Sequence, residues 1–168
     1  MTVLGVDPCP ANADSLRRDW GFSEVHPDLA DILGRVHILS LHVPANEHTR
    51  HLVNAELLAG LRPDAVLVNT ARGPVVDETA VYDALVAGRL GFAALDVFET
   101  EPYVPAAVGK DLRTLPNVLL TPHVSSSSVE ACQRMAHASM ENVRRAAAGT
   151  YDAISLINSD VLAVLGVR

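Results

Sequence analysis

Five places in this 168-residue chain carry polar side chains directly after apolar, β-branched runs. Such runs predict the buried strands of a parallel sheet, and ligands of these sheets bind beyond the carboxyl ends of the strands. The five groups are Asp7, His42, residues 70–73, Asp96 and residues 121–123. Each group alone is also compatible with a capped loop. Together they predict a binding site along one edge of the sheet.

Asp7 directly follows the run Thr-Val-Leu-Gly-Val. A carboxylate at this point can accept hydrogen bonds from the two vicinal hydroxyls of a ribose. The next residues, Pro-Cys-Pro, include no arginine for a 2′-phosphate, so the sequence favours NAD over NADP. The alternative is that Asp7 only ends its strand.

Three further side chains could bind a small acid or exchange a proton with it. Arg72 lies in a tight turn, where a guanidinium can bind a carboxylate or keto oxygen in a bidentate manner, although an ion pair with a surface acid is the alternative. His123 follows a strand, and Glu101 lies in the long loop 99–116. A histidine beside a carboxylate has a raised pKa and can exchange a proton with a carbonyl or alcohol oxygen. A capping histidine and a solvated glutamate remain the alternative.

Other chemistries lack the residues that they need. His48 and His51 stand three apart, but no cysteine or carboxylate joins them at metal-ligand spacing, so we expect no metal site. There is no Gly-x-Ser-x-Gly motif and no context for a reactive cysteine, which argues against a hydrolase with an acyl-enzyme intermediate.

The composition narrows the class of protein. Hydrophobic residues make up 49% of the chain, which argues against global disorder. The 13 basic residues are scattered among 20 acidic ones, so we expect no nucleic-acid partner. No apolar stretch approaches the roughly 18 to 20 residues of a membrane span, and the N-terminus does not resemble a signal peptide. With only two cysteines, the sequence predicts a cytoplasmic protein without a disulfide framework.

Strand and helix patterns alternate along the chain and predict an α/β fold with a doubly wound parallel sheet. Asn54 and Asp77 are expected N-caps, and Gly88 stands where a helix ends in a left-handed residue. The predicted strands cover residues 2–7, 23–25, 36–41, 65–70, 91–97 and 118–121. The predicted helices cover residues 12–20, 28–33, 54–60 and 77–87.

A longer helix of about 20 residues follows, from the capping-box spacing at residues 127–130 up to Gly149. We interpret the tail, residues 151–168, as a docking segment with apolar patches at residues 154–157 and 161–165. The apolar face of the helix carries Val129, Cys132, Ala136, Met140 and Val143.

Four motifs follow one another in order: SLHVP at 40–44, VNTARG at 68–73, ALDVFETEP at 94–102 and PNVLLTPH at 116–123. Together they resemble the NAD-binding domain of the D-isomer-specific 2-hydroxyacid dehydrogenases, and most of all the phosphoglycerate-dehydrogenase-like group. The resemblance implies a Rossmann-like sheet, NAD as cofactor, and hydride transfer to or from C2 of a small 2-hydroxy or 2-keto acid.

The resemblance also implies roles for individual residues. His123 matches the acid/base, Glu101 the carboxylate that supports it, and Arg72 the arginine that binds the substrate. Ser126 matches a cofactor-binding position, in a stretch after His123 where the family usually has a glycine beside the nicotinamide; here Ser125 and Ser126 stand in that stretch, so this backbone approach differs. The remaining cofactor positions are Asp7 at the adenosine ribose, Val43, Pro44 and Thr49 on the adenosine side, Thr70, Ala71 and Arg72 at the nicotinamide ribose, and Asp96 and His123 near the nicotinamide.

One motif of the family is absent. No two of the ten glycines are spaced Gly-x-Gly, so the chain holds no GxGxxG phosphate loop. In the family this loop immediately precedes the strand matched by residues 2–7. We therefore expect a sheet that is incomplete at its N-terminal strand, with a break between strands 2–7 and 36–41 on one side and strand 65–70 on the other.

These expectations define two regions: a partial dinucleotide-binding domain at 1–126, and a helix and tail at 127–168 that in the family return to the substrate domain. We expect weak NAD binding at most by this chain alone, and a homodimer. The alternative function is that of a catalytically inactive truncated remnant that serves as an interaction or oligomerisation module.

Overall fold

The computed structural model describes residues 1–9, 13–151, 154 and 160–164. Parallel strands alternate with helices, which confirms the Rossmann-like α/β fold with a long C-terminal helix. The strands are β1 (Leu4–Val6), β2 (Glu24–His26), β3 (Ile38–Leu41), β4 (Val66–Asn69), β5 (Phe92–Leu95) and β6 (Val118–Leu120). The helices are α1 (Ala13–Trp20), α2 (Ala55–Gly60), α3 (Glu78–Val86), α4 (Val129–Ala147) and α5 (Val161–Val164).

The Cα positions divide the chain into two compact units, Met1–Pro122 and His123–Arg168. The functional division between residues 126 and 127 stays a prediction. No helix in the described parts of the chain is both long enough and apolar enough to cross a membrane.

The first unit contains two parallel sheets, one of β1 and β2 and one with the strand order β3-β4-β5-β6. In the larger sheet Ile38 stands opposite Val66 and Leu41 opposite Asn69, so β3 pairs directly with β4. The predicted break between these two strands is therefore wrong. The sheets separate between β1 and β3 instead, because Leu39 and Leu41 of β3 belong to the same core as Leu67 of β4.

Alternating burial explains how the larger sheet is packed. Leu39, Leu67 and Ala93 are buried, and their neighbours along each strand are only partly buried or exposed. One face of the sheet thus carries the core, which also includes Leu58 of α2 and Val81 of α3. The apolar runs predicted buried strands, but Ile38 of β3 is 55% exposed.

The predicted ends of α2 and α3 are confirmed. The side chain of Asn54 accepts a hydrogen bond from the backbone N–H of Leu57, and that of Asp77 accepts one from Ala80. Each bond satisfies an amide in the first turn that has no partner within its helix. Gly88 adopts a φ of 64° after α3, a left-handed conformation that glycine tolerates best.

Two other helix predictions need correction. Residues 28–33 form no α-helix, because the chain makes two short 3-10 turns there, Leu29–Asp31 and Leu33–Arg35. The Asp28 carboxylate accepts from the N–H of Ala30, and this tight local bond favours a turn. The capping-box spacing also predicted the start of α4 one residue early, since Ser128 is its N-cap.

The second unit contains the 19-residue helix α4. Its N-cap hydroxyl accepts from the N–H of Ala131, while the preceding residues Ser125–Ser127 form a 3-10 turn. Of the two predicted apolar patches in the tail, most of residues 154–157 lies outside the described residues, and residues 161–164 form α5.

Candidate active site

A cleft of about 430 Å³ lies at the carboxyl ends of β3 and β4. Polar edges of parallel sheets expose backbone groups and short loops that can contact a ligand. The lining residues are His42, Val43, Pro44, Ala45, Thr70, Ala71 and Arg72. The structure therefore brings together five of the predicted site residues, those at 43, 44, 70, 71 and 72.

The turn that carries Arg72 is built on the buried side chain of Asn69, the last residue of β4. Asn69 is fully buried, and its Nδ2 donates to the carbonyl of Arg72 at 3.0 Å. Its Oδ1 accepts from the N–H of Ala71, also at 3.0 Å. A buried amide that is satisfied at both ends holds the backbone in one arrangement.

Arg72 itself is exposed, and its Nη1 donates to the carbonyl of Ala71 at 2.6 Å. Within the described residues of its own unit, it forms no ion pair with an acidic side chain. The predicted alternative of a surface ion pair is therefore not formed there. The guanidinium retains donors for a carboxylate or carbonyl ligand in the cleft.

Gly73 joins this turn to the loop that carries Glu101. A Cβ at Gly73 would lie 1.8 Å from the carbonyl oxygen of Phe98 and 2.6 Å from the nitrogen of Glu99. Only glycine allows such a backbone approach. The N–H of Phe98 in turn donates to Glu101 Oε1 at 3.1 Å. Arg72 and Glu101 thus belong to two segments whose backbones pack directly on each other.

Asp96 lies at the end of β5, between the ends of its two neighbouring strands. Its N–H donates to the carbonyl of Asn69 at 3.0 Å, and Thr121 Oγ1 donates to its Oδ1 at 2.5 Å. The first bond continues the β4–β5 ladder by one residue, and the second links the side chains that follow β5 and β6. Asp96 is therefore held at the same edge as the cleft.

Thr49 supports the cleft wall rather than lining it. Its Oγ1 donates to the carbonyl of Pro44 at 2.6 Å, and its N–H donates to Asn46 Oδ1 at 3.1 Å. His42, which does line the cleft, has its Nε2 2.9 Å from Ser40 Oγ. The local bonds of Asn46 and Thr49 are typical of an Asx-type turn and fix the loop that follows β3.

Asp7 lies outside the cleft, at the end of β1 in the smaller sheet. Its N–H donates to the carbonyl of His26 at 3.0 Å, and its Oδ1 accepts from the N–H of Cys9 at 2.8 Å. The side chain is exposed. The carboxylate thus caps a turn, and its exposure leaves it accessible to a further donor.

His123 and Ser126 belong to the second unit. His123 adopts a φ of 53°, which is uncommon for a residue other than glycine and costs backbone energy. Ser126 lies in the 3-10 turn that precedes α4. The pairing of His123 with Glu101 stays a prediction.

Three residues that build this site were assigned no individual role from the sequence: Asn69, Gly73 and Glu78. Glu78 is 4% exposed, and its Oε1 accepts from the N–H of Glu99 at 2.6 Å. An amide side chain at the end of an apolar strand is a signal that could have indicated Asn69. A glycine next to an arginine in a tight turn could have indicated Gly73, whereas Glu78 reads as an ordinary acid in a first helical turn.

A parallel α/β fold with a polar cleft at the carboxyl ends of its strands defines a class of nucleotide-binding domains. The model of the family described as "D-isomer specific 2-hydroxyacid dehydrogenase, NAD binding domain" matches residues 1–125. The chain belongs to this family, as its motifs led us to expect.

Relatives with known names agree with this assignment. The chain is 41% identical over 154 residues to a glyoxylate reductase of Thermofilum pendens, and the match covers 89% of this chain and 44% of the relative. The D-lactate dehydrogenase of Aquifex aeolicus, solved with NAD and lactic acid, is similar at 30% identity and a TM-score of 0.75, with 92% of this chain and 48% of that chain covered.

A third relative differs in its cofactor. The NADPH-dependent glyoxylate/hydroxypyruvate reductase of Sinorhizobium meliloti, solved with NADP and malonate, is 34% identical with a TM-score of 0.67. That match covers 86% of this chain and 49% of the reductase. The chain therefore spans less than half the length of each of these relatives.

Proposed function

We propose that this chain is the nucleotide-binding and catalytic segment of an NAD-dependent dehydrogenase that acts on a small 2-hydroxy or 2-keto acid. The observation that carries the proposal is the position of Arg72. Its guanidinium lies in a cleft at the carboxyl ends of two parallel strands, on a turn held by the buried Asn69, without an acidic partner in the described part of its unit.

Arg72 would bind the carboxylate of the acid and polarise its C2 oxygen. A guanidinium suits this task because two parallel N–H groups match a carboxylate or an oxo acid in one plane. The relatives fit such a ligand, since their names and bound ligands concern glyoxylate, lactic acid, hydroxypyruvate and malonate. All four are small acids that could enter a cleft of this size.

His123 would give a proton to the C2 oxygen on reduction and take it back on oxidation. Glu101 would hold the imidazolium form of His123 and so keep the acid available near neutral pH. The left-handed backbone of His123 supports this role, because strained residues concentrate at functional sites. The bond from the N–H of Phe98 keeps one oxygen of Glu101 in a defined position.

The residues present fit the nicotinamide half of a dinucleotide. The cleft has backbone and short side chains for the ring and its ribose at Thr70 and Ala71, and Asp96 is held at the adjoining strand end. The exposed carboxylate of Asp7 would bind the adenosine ribose, which favours NAD because a 2′-phosphate would be repelled. When bound, NAD supplies or accepts the hydride. The sequence offers no GxGxxG loop for the pyrophosphate.

The first test is a calorimetric titration of the purified 168-residue chain with NADH and with NADPH. Saturable binding of NADH, tighter than that of NADPH and weakened by Asp7→Ala, would support the proposal. If the chain is folded by circular dichroism and binds neither cofactor, the proposal fails for this chain, and the inactive interaction module becomes the better interpretation.

The second test follows NADH absorbance with glyoxylate as substrate. Arg72→Met should abolish most turnover, whereas Arg62→Met is the matched control, because Arg62 pairs with Asp64 at a loop away from the cleft. His123→Ala should remove most turnover and leave NADH affinity nearly unchanged, with His48→Ala as its control. Loss of NADH binding in His123→Ala would contradict the acid/base role.

A further inference from the structure

Glu78 carries a buried carboxyl group that the proposed reaction does not use. It is the first residue of α3 and only 4% exposed. Oε1 accepts from the N–H of Glu99 at 2.6 Å, and Oε2 has no hydrogen-bond partner in the described residues. Burial raises the pKa of this carboxyl above its ordinary value; the hydrogen bond from the Glu99 N–H opposes that rise, and the negative charges of Glu99 and Asp77 add to it.

This arrangement is costly for a purely structural contact. A buried oxygen without a partner destabilises the fold, and an apolar side chain of similar size would fill the same space without that penalty. Polar groups that break a packing rule in this way are expected where they hold a functional geometry.

The hydrogen bond between Glu78 and the N–H of Glu99 holds the Phe98–Glu99 peptide. This peptide belongs to the segment that carries Glu101 and packs on the turn that carries Arg72. The carbonyl side of this peptide packs on Gly73, the residue after Arg72, so closely that no Cβ would fit. The N–H on the other side of Phe98 donates to Glu101. A shift of this peptide would therefore move the arginine turn and the Glu101 carboxylate relative to each other.

His51 ties the same two segments at a second point. Its N–H donates to the carbonyl of Pro74, the residue after Gly73, at 2.9 Å. Its Nε2 lies 2.9 Å from Glu99 Oε2, so its side chain reaches the loop. His51 also adopts a φ of 49°, in the left-handed region. Glu78 and His51 thus both bind Glu99, Glu78 through its backbone N–H and His51 through its side chain.

We propose that Glu78 is a positioning residue: by holding the N–H of Glu99, it fixes the Phe98–Glu99 peptide against Gly73 and so sets Arg72 relative to Glu101. The inference rests on the proposed function for the meaning of that geometry. The contact between the two segments can be tested without it.

The first experiment measures amide hydrogen exchange in the full chain. Glu78→Gln retains an oxygen acceptor, whereas Glu78→Met has a similar shape without one. We expect Glu78→Met to lower the protection of the Glu99 amide by about tenfold or more. Glu78→Met should also lower the protection of the Val76 amide. This amide donates to the carbonyl of Gly73 and so reports on the turn that carries Arg72. Glu78→Gln should leave both close to the parent.

A matched control comes from the same loop. Asp111 also accepts from a backbone N–H, that of Arg113, but at a point that does not touch Gly73. Asp111→Ala should leave the Val76 amide unchanged. If Glu78→Met does not fold, Glu78→Leu takes its place. Unchanged protection of Glu99 and Val76 in the folded apolar variant would overturn the proposal.

The second experiment measures binding of oxalate, a small dicarboxylate that probes Arg72, in a double-mutant cycle. If Glu78 acts through the arginine turn, Glu78→Met should weaken oxalate binding by about tenfold in the parent and by much less when Arg72→Met is present. Equal losses in both backgrounds would overturn the proposal. If the parent does not bind oxalate, the proposed function has failed, and the exchange experiment alone decides on the contact.

Discussion

Replacing Gly73 with alanine is the sharpest perturbation of this site, because the backbone of Phe98 occupies the space that the added methyl group needs. Its carbon would lie 1.8 Å from the carbonyl oxygen and 1.9 Å from the carbonyl carbon of Phe98. Ordinary van der Waals contact starts near 3.4 Å, so the two backbones must separate by about 1.5 Å. Neither neighbour is the flexible end of a side chain that could rotate away.

The expected loss follows from this displacement. Overpacking a well-packed site costs about 1 to 3 kcal/mol, and a clash between two backbones belongs at the upper end of that range. For a chain of this length, about 3 kcal/mol lowers the melting temperature by roughly 6–12 °C. If the chain turns over, a displacement of more than about 1 Å between Arg72 and Glu101 should cost a further hundredfold or so in rate.

Thermal unfolding followed by circular dichroism tests this expectation. Gly34→Ala is the matched control, because a Cβ at Gly34 would meet only the carbonyl oxygen of Gly60, at 4.0 Å. That variant should be neutral or slightly more stable, since alanine restricts the unfolded chain. A Gly73→Ala protein that melts within about 2 °C of Gly34→Ala would refute the close packing of the two segments.

Three further predictions concern single groups. Asp77→Ala removes the N-cap of α3 and should cost about 1 kcal/mol, roughly 2–4 °C in melting temperature, and an unchanged melting curve would contradict the cap. Hydrogen bonds from Arg35 and, to a smaller extent, His26 lower the pKa of Glu24 to about 2, so Arg35→Ala should move the Glu24 titration, followed by carbon NMR, part of the way back toward its ordinary value of 4.5. This pair favours the folded state above the unfolded pKa, and that contribution is lost as the pH falls toward 2. The Glu78 carboxyl gives the opposite pH dependence of stability, because its pKa is raised in the folded state. Its contribution to folding is present below the pKa of the unfolded state and is lost as the pH rises through the pKa of the folded state. Urea unfolding should therefore show Glu78→Gln gaining stability over the parent as the pH rises from about 4 to 7, and a constant difference would contradict the shift.

Features that depend on neighbouring residues were predictable from the sequence. Asn54, Asp77 and Gly88 were predicted as helix ends because capping bonds and left-handed turns involve residues two to four apart. The order of strands and helices followed from the same short-range patterns. The same patterns predicted a helix at residues 28–33, which is wrong. The apolar spacing there fits a helix, but the Asp28 side chain accepts a hydrogen bond that forms a turn.

Features that depend on distant residues were not predictable. Nothing in the run at 36–41 shows that β3 pairs with β4, since parallel pairing depends on a core assembled from several elements. The motifs at 68–73 and 94–102 were correctly placed at strand ends. Their mutual contact at Gly73 and Phe98, 25 positions apart, is a property of the folded chain only.

The role of Glu78 could not be predicted from the sequence alone. An acidic residue in the first turn of a helix is already explained by the helix dipole, so its identity gives no reason to look further. The two explanations make opposite predictions for Glu78→Gln at neutral pH. If Glu78 serves the dipole, the neutral amide should lose stability. If its main role is to hold the N–H of Glu99 from a buried position, the amide oxygen keeps that bond and removes a buried charge, so stability should rise while the Glu99 amide stays protected.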